Sequence, residues 1–235
     1  MTRDEIMQQL QLLGNESTKK VLIKHGAREP FFGVKIEYLK EIVKKTKTNY
    51  ALSLGLYNTG NSDAMYLAGL MADPEKMTRE DLNEWAEKAY WYMLSEYTVA
   101  WVASESPYGL ELALQWIDSG KENIASSGWA TLASIAAIKN DSDIDKKLFI
   151  GLLERVSKTI HTEKNRVRHT MNNFVIALGG YCTHLSEDAK HIASTLGKVQ
   201  VDMGGTACKV PDATEYIKKM HKRNLLGKKR KSARC

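Results

Sequence analysis

Apolar positions recur at three- and four-residue steps along almost the whole chain, the period of one face of an α-helix. Ile36, Leu39, Ile42 and Val43 make one such stripe, and Leu148, Leu152, Leu153, Val156 and Ile160 another. The pattern predicts helices near 2–13, 16–25, 35–46, 49–58, 62–72, 78–88, 90–104, 107–118, 121–138, 143–159, 163–182, 186–196 and 212–223. All four prolines, Pro30, Pro74, Pro107 and Pro211, fall between these segments, where a missing N–H and a fixed φ are tolerated. Thr78-Arg-Glu-Asp81 and Asn15-Glu-Ser-Thr18 offer side-chain acceptors where helices should begin. Connections this short make neighbouring helices antiparallel.

Tyr66, Ala72 and Trp85 recur as Tyr97, Ala103 and Trp116 at a constant offset of 31 residues. Runs of small residues, Leu67-Ala-Gly-Leu-Met-Ala72, Thr131-Leu-Ala-Ser-Ile-Ala-Ala137 and Ala177-Leu-Gly-Gly180, allow the close helix approach that stacked pairs require. The expected fold class is all-α, a HEAT-like α-solenoid spanning 1–226 as one domain, followed by a basic tail, 227–235. The exception is Lys198-Val-Gln-Val-Asp-Met-Gly-Gly-Thr-Ala-Cys-Lys-Val-Pro211. Its Val199/Val201 alternation and Gly204-Gly205 turn predict a short β-hairpin or extended loop near 198–210. Such an arm could contact a ligand or simply close the last helix pair, and both readings stand.

Charge changes the picture more than composition does. Residues 209–235 hold ten Lys/Arg against Asp212 and Glu215, a net +8, whereas the whole chain is +6, so the rest sums to −2. A second basic stretch, 19–47, carries nine Lys/Arg against three acids, while 62–122 holds twelve acids against four bases. Sorted charge with a pI of about 9.0 points to a polyanion partner. The tail has little apolar content and is expected to be mobile. No apolar run approaches a membrane span, and the N-terminus lacks a secretory h-region. Cys182, Cys208 and Cys235 are widely spaced, as reduced thiols would be. The expectation is a cytoplasmic, monomeric protein without metal or cofactor; the six histidines have no metal-ligand spacing, and His169 should be exposed.

Two segments carry candidate chemistry. On the helix starting near 163, Arg166, Thr170 and Asn173 share one flank, and Arg168 and Asn172 line the other. Guanidinium and amide donors suit phosphate oxygens, though ion pairs to a neighbouring helix would use the same groups. With Lys35, Lys209 and the Lys228, Lys229, Arg230, Lys231 cluster they form the candidate nucleic-acid-binding set. The five tryptophans read first as core.

At Phe31-Phe-Gly-Val-Lys-Ile-Glu-Tyr-Leu-Lys-Glu-Ile42 the chain resembles the DNA alkylation repair family, the AlkD-like HEAT-repeat DNA glycosylases, which carry a similar Phe-Gly-Val before a Leu-Arg/Lys-x-Ile helix. Length and helix order extend the resemblance over the whole chain. Gly204-Gly-Thr-Ala-Cys-Lys-Val-Pro211 with Gly227-Lys-Lys-Arg-Lys231 looks like a subgroup signature. The resemblance implies a crescent whose basic concave face grips duplex DNA, damaged or branched forms included. It also implies excision of N3- or N7-alkylpurines by tryptophans against the deoxyribose and an Asp near the anomeric carbon. The family's Trp-x-x-x-Asp corresponds to Trp91-Tyr-Met-Leu-Ser95, with serine in place of the acid; its Trp-x-Arg-Arg corresponds to Trp129-Ala-Thr-Leu132, with no arginine; a further tryptophan is replaced near Ile176. The resemblance therefore implies a DNA-binding member of a subgroup without the catalytic Asp and Arg. Trp91 and Trp129 remain candidate aromatic contacts. Glu96, or Glu105, is the substitute acid if excision is retained. A protein–protein scaffold working through the acidic 62–122 segment is the reading from another class.

Overall fold

A computed structural model describes residues 1–234. Thirteen α-helices occupy the described residues: α1 (Arg3–Leu13), α2 (Glu16–Lys24), α3 (Ile36–Thr46), α4 (Tyr50–Tyr57), α5 (Ser62–Met71), α6 (Arg79–Lys88), α7 (Ala100–Glu105), α8 (Gly109–Trp116), α9 (Glu122–Ile138), α10 (Lys146–Thr159), α11 (Asn165–Tyr181), α12 (Ser186–Leu196) and α13 (Ala213–Lys222). A π-helical segment, Met93–Val99, leads into α7. The helix starts follow their caps. Thr2 with Glu5 and Thr78 with Asp81 form reciprocal capping boxes, and Asn15, Asn49, Asn61, Asp145 and Asp212 each accept from a first-turn amide. No described helix is long and apolar enough to cross a membrane.

The helices pair as stacked repeats. α5, the π segment with α7, α9, α11 and α13 pack side by side, and α4, α8 and α12 back α5, α9 and α11. The repeated Tyr–Ala–Trp spacing falls on corresponding elements: the tyrosines on α5 and the π segment, the tryptophans on α6 and α8. Tyr57 stacks on Trp85 at 4.0 Å, and Tyr66 and Tyr97 both set ring edges against Trp101, at 5.4 and 5.7 Å.

Small residues set the helix spacing. A Cβ on Gly128 of α9 would lie 2.9 Å from the Ala113 carbonyl oxygen and 2.9 Å from the Ile117 backbone nitrogen. These are backbone atoms and cannot swing aside, so Gly128→Ala should cost about 1–3 kcal/mol of stability. A lowered urea midpoint would report it, and an unchanged midpoint would mean that α8 and α9 can slide apart freely.

The Phe31-Phe-Gly-Val34 segment also has a structural cause. The buried Asp63 carboxylate at the start of α5 accepts the backbone N–H groups of Phe32, Gly33 and Val34 at 2.6, 3.0 and 3.1 Å. Gly33 sits at φ +79°, and a Cβ there would meet the Asn15 carbonyl at 2.8 Å. The motif thus wraps an otherwise costly buried carboxylate.

Of the two forms expected near 198–210, the extended loop is the one observed: residues 198–211 form an extended arm with a turn at 204–206, and no β-ladder occurs among the described residues. The reason lies in α11. Asn165 donates to the Asp202 carbonyl at 2.8 Å and accepts from its N–H at 2.7 Å, and Asn172 donates to the Pro211 carbonyl at 2.9 Å. Side-chain amides supply bonds that a hairpin would have exchanged between its own strands.

The basic segment 227–234, expected to be mobile, is instead docked along the C-terminal ends of the inner helices. The last carbonyls of a helix have no intrahelical partner and carry the negative end of its dipole. Gly227 N–H donates to Gly180 O of α11, and Lys229 Nζ and Arg230 N–H donate to Ala136 O and Ala137 O of α9. Arg234 Nη1 reaches Leu70 O of α5 at 3.1 Å. Two carboxylates complete the dock: Lys229 pairs with Asp141 at 2.9 Å and Arg234 with Glu105 at 3.3 Å. Ser232 and the Ala233 N–H also donate to Glu105, and Ala233 is buried. Two of the cations that looked free in the sequence, Lys229 and Arg234, satisfy helix ends.

Candidate functional site

A cleft of about 320 Å³ lies where the N-terminal ends of three inner elements meet the end of α2. Ser95 comes from the π segment, Asn123 from α9 and Arg166 from α11, with Gly26 after α2 and Met203 of the arm opposite. Trp91 and Tyr92 form its aromatic wall. Trp91 donates its indole N–H to His25 O at 2.8 Å, and the Tyr92 hydroxyl lies 3.1 Å from His25 Nδ1. Burial pushes the Tyr92 hydroxyl up to about 12, so it stays protonated.

Behind this wall sits an ion pair. Arg166 Nε and Nη2 each donate to one oxygen of Glu96, both at 2.6 Å. The Glu96 side chain is 3 % exposed and that of Arg166 15 %. The guanidinium stacks over the Tyr92 ring at 4.3 Å, and the Arg166 backbone N–H donates to Glu122 Oε1 at 2.9 Å. His169 Nδ1 lies 3.2 Å from Glu96 and 3.4 Å from the Asn173 amide. His169 is buried in this network, which corrects its expected exposure.

One step along a helix rotates a side chain about 100°, which takes Glu96 well away from the direction of Ser95. The structure has that arrangement within the π segment: Ser95 lines the cleft, while Glu96 is buried against Arg166.

The other candidates divide. Trp91 is at the cleft, but Trp129 is 0 % exposed, edge-on to Phe174 at 5.2 Å, and belongs to the core. Asn172 is buried as the holder of Pro211, and Asn173 is half-buried beside His169. Glu105 is taken up by Ser232, Ala233 and Arg234. Arg168 and Lys209 come together across a separate groove beneath the arm. Lys35 precedes α3 and pairs with Glu37 at 3.6 Å. Lys228, Arg230 and Lys231 are exposed along the docked segment, and Lys229 is committed to Asp141. Glu122, Tyr92 and His25 were missed; each is an ordinary helix-end residue in the sequence, and only the convergence of helix ends brings them together. Among the described residues no three His, Cys, Asp or Glu side chains cluster as metal ligands would.

With the geometry in view, four similarities bear on it. The family model described as DNA alkylation repair enzyme matches residues 6–195. Two proteins described as uncharacterized are similar over almost their full length: Lmo0209 of Listeria monocytogenes, 36 % identical over 229 residues, and Lin0241 of Listeria innocua, 35 % identical over 229 residues. Each alignment covers 95 % of this chain and 99 % of the relative. A solved structure described as "A new family of proteins related to the HEAT-like repeat DNA glycosylases with affinity for branched DNA structures" superposes with a TM-score of 0.92 at 40 % identity, covering 100 % of both chains.

Proposed function

The chain belongs to the DNA alkylation repair enzyme family, and on that premise we propose that it is a DNA-binding member, acting in the cytoplasm as a monomer without cofactor, that grips duplex and branched DNA and does not excise bases. One observation carries the second half of this reading. Ser95 lines the cleft where the resemblance calls for an acid, and the adjacent Glu96 is buried in a bidentate pair with Arg166. Excision of an alkylpurine needs a carboxylate placed to meet positive charge developing on the sugar. A serine cannot supply that charge, and Glu96 already spends both oxygens on a guanidinium. The grip is supported by the exposed cations Lys228, Arg230 and Lys231, and by the solved relative described as having affinity for branched DNA.

A second reading rests on Glu122, whose side chain lines the same cleft from the start of α9. Under it, Glu122→Gln abolishes release of alkylated base while DNA affinity stays intact. The scaffold reading gains nothing comparable, because Asp63, Glu87, Glu96, Glu105 and Glu111 of the acidic segment are all engaged within the fold.

The deciding experiment pairs two assays. Methylated duplex should yield no free N3-methyladenine or N7-methylguanine above a heat-killed control. A four-way junction and a plain duplex should be retained, with affinity falling on a log–log salt slope of about −0.9 per phosphate contact. A slope shallower than about two contacts would sink the grip. Base release lost in Glu122→Gln would establish the second reading.

A further inference from the structure

The extended arm encloses a groove that the cleft does not include. It leaves α12 at Gly197, passes beside the first turns of α11, and its turn approaches α2, where a Cβ on Gly204 would lie 3.4 Å from Lys24 O. It returns to Asp212, the cap of α13. Asn165 and Asn172 pin it to α11 at Asp202 and Pro211. Between these pins, arm and helix bound an open groove of about 770 Å³.

Its charge is unbalanced. Arg168, Lys198 and Lys209 line it with Asp202 as the single carboxylate. Lys198 and Lys209 are exposed and form no ion pair among the described residues, while the Arg168 Nε is buried without any hydrogen-bond partner. The remaining polar contact of Arg168 is one long bond, 3.5 Å from its Nη2 to Asn165 Oδ1. A guanidinium has five N–H donors, and leaving them unmet under partial burial costs free energy that an oxyanion would recover.

The groove's shape narrows the choice of oxyanion. Its volume is that of a small-ligand site, enough for a nucleotide or two and too small for a duplex. No aromatic side chain lines it, so it offers no platform for stacking bases. Met203 borders both this groove and the aromatic cleft, so the two hollows adjoin.

We propose that the groove between the arm and α11 holds the phosphodiester backbone of a single DNA strand, with Arg168, Lys198 and Lys209 on its phosphates, so that the protein takes the unpaired strand at a branch or gap beneath its arm. This rests on the DNA-binding reading above and names what that reading leaves open, the strand element that is recognised. Recognition through phosphates alone makes the site indifferent to base sequence.

The test is fluorescence anisotropy with an oligo-dT strand of about ten nucleotides, within the range of single-strand site sizes, beside a blunt duplex and a four-way junction. Lys198→Gln/Lys209→Gln, which alters two exposed side chains without partners, should weaken oligo-dT binding about tenfold or more and leave the duplex within about twofold. Arg168→Gln should add to that loss. Saturating oligo-dT should also slow alkylation of the exposed Cys208 on the groove wall, read by peptide mass, with buried Cys182 as internal control. Equal losses on duplex and oligo-dT, no loss on either, or an unprotected Cys208 would overturn the proposal. Wild-type protein that binds duplex but not oligo-dT defeats this inference alone. Protein that binds none of the three at low salt defeats the DNA-binding reading itself.

Discussion

Replacing Arg166 by Met should lower the free energy of unfolding by about 3–5 kcal/mol, the usual cost of stripping one partner from a buried ion pair. Glu96 would be left almost wholly buried, with His169 and no guanidinium to meet its charge. The double change Arg166→Met/Glu96→Met should recover most of the loss, because two apolar side chains of similar volume remove the desolvated charge together with its partner. Urea unfolding of the wild type, both single variants and the double variant closes the cycle. A single-variant loss below about 1 kcal/mol would show the pair to be screened like a surface salt bridge. The cycle bears on function too. A carboxylate whose burial depends on its guanidinium partner is not free to meet a substrate, and releasing Glu96 for catalysis would carry the single-variant cost.

Deleting the chain from Lys228 onward should cost about 2 kcal/mol and lower the thermal midpoint by about 4–8 °C. The deletion uncovers Leu70, Ala136 and Ala137 carbonyls at helix ends and removes the cations from Asp141 and Glu105. A pH dependence accompanies it. Burial raises the Asp141 carboxyl, but hydrogen bonds from Lys229, from the Thr183 side chain and backbone, and from His184 outweigh it and hold the group well below the usual carboxylate range. A depressed carboxyl stabilises the fold above its unfolded value, 3.8, and that contribution drains away as pH falls through the folded value. Wild type should therefore lose stability as pH drops below about 4, and both the deletion and Asp141→Asn should flatten that loss. Calorimetric scans at pH 7 and pH 3 read both effects. A deletion that leaves the midpoint unchanged at pH 7 would mean the segment merely rests on the surface.

Most of the fold was legible because it is written in local terms. Apolar period, caps at Thr78 and Asn15, prolines in the gaps and small residues at helix crossings all point one way, and thirteen predicted helices correspond to thirteen observed. What escaped is what depends on non-local partners. The π turn at Met93–Val99 leaves the apolar pattern intact, so the sequence carries no mark of it. Val199 and Val201 alternate as a strand would, yet the bonds that a second strand would supply come from Asn165 on α11. Lys229 read like its neighbours because nothing in a linear sequence shows that the end of α9 and Asp141 lie beside it. Trp91 and Trp129 were indistinguishable by spacing; one lines the cleft and the other fills the core. Arg166 and Arg168 shared one expectation and met opposite fates, one locked to Glu96 and the other left with an unmet Nε.

Stacked-repeat proteins usually behave as one-dimensional chains of neighbours, able to fray from either end. The contact from Arg234 to Leu70 spans 164 positions and breaks that rule. It fastens the last repeats to the middle of the stack, so the C-terminal helix pairs cannot melt by themselves without first releasing the segment that clasps α5, α7 and α9. During synthesis, those inner helices would keep open carbonyl ends until residues 227–234 have emerged. Full cooperativity should therefore arrive late and all at once, rather than growing repeat by repeat.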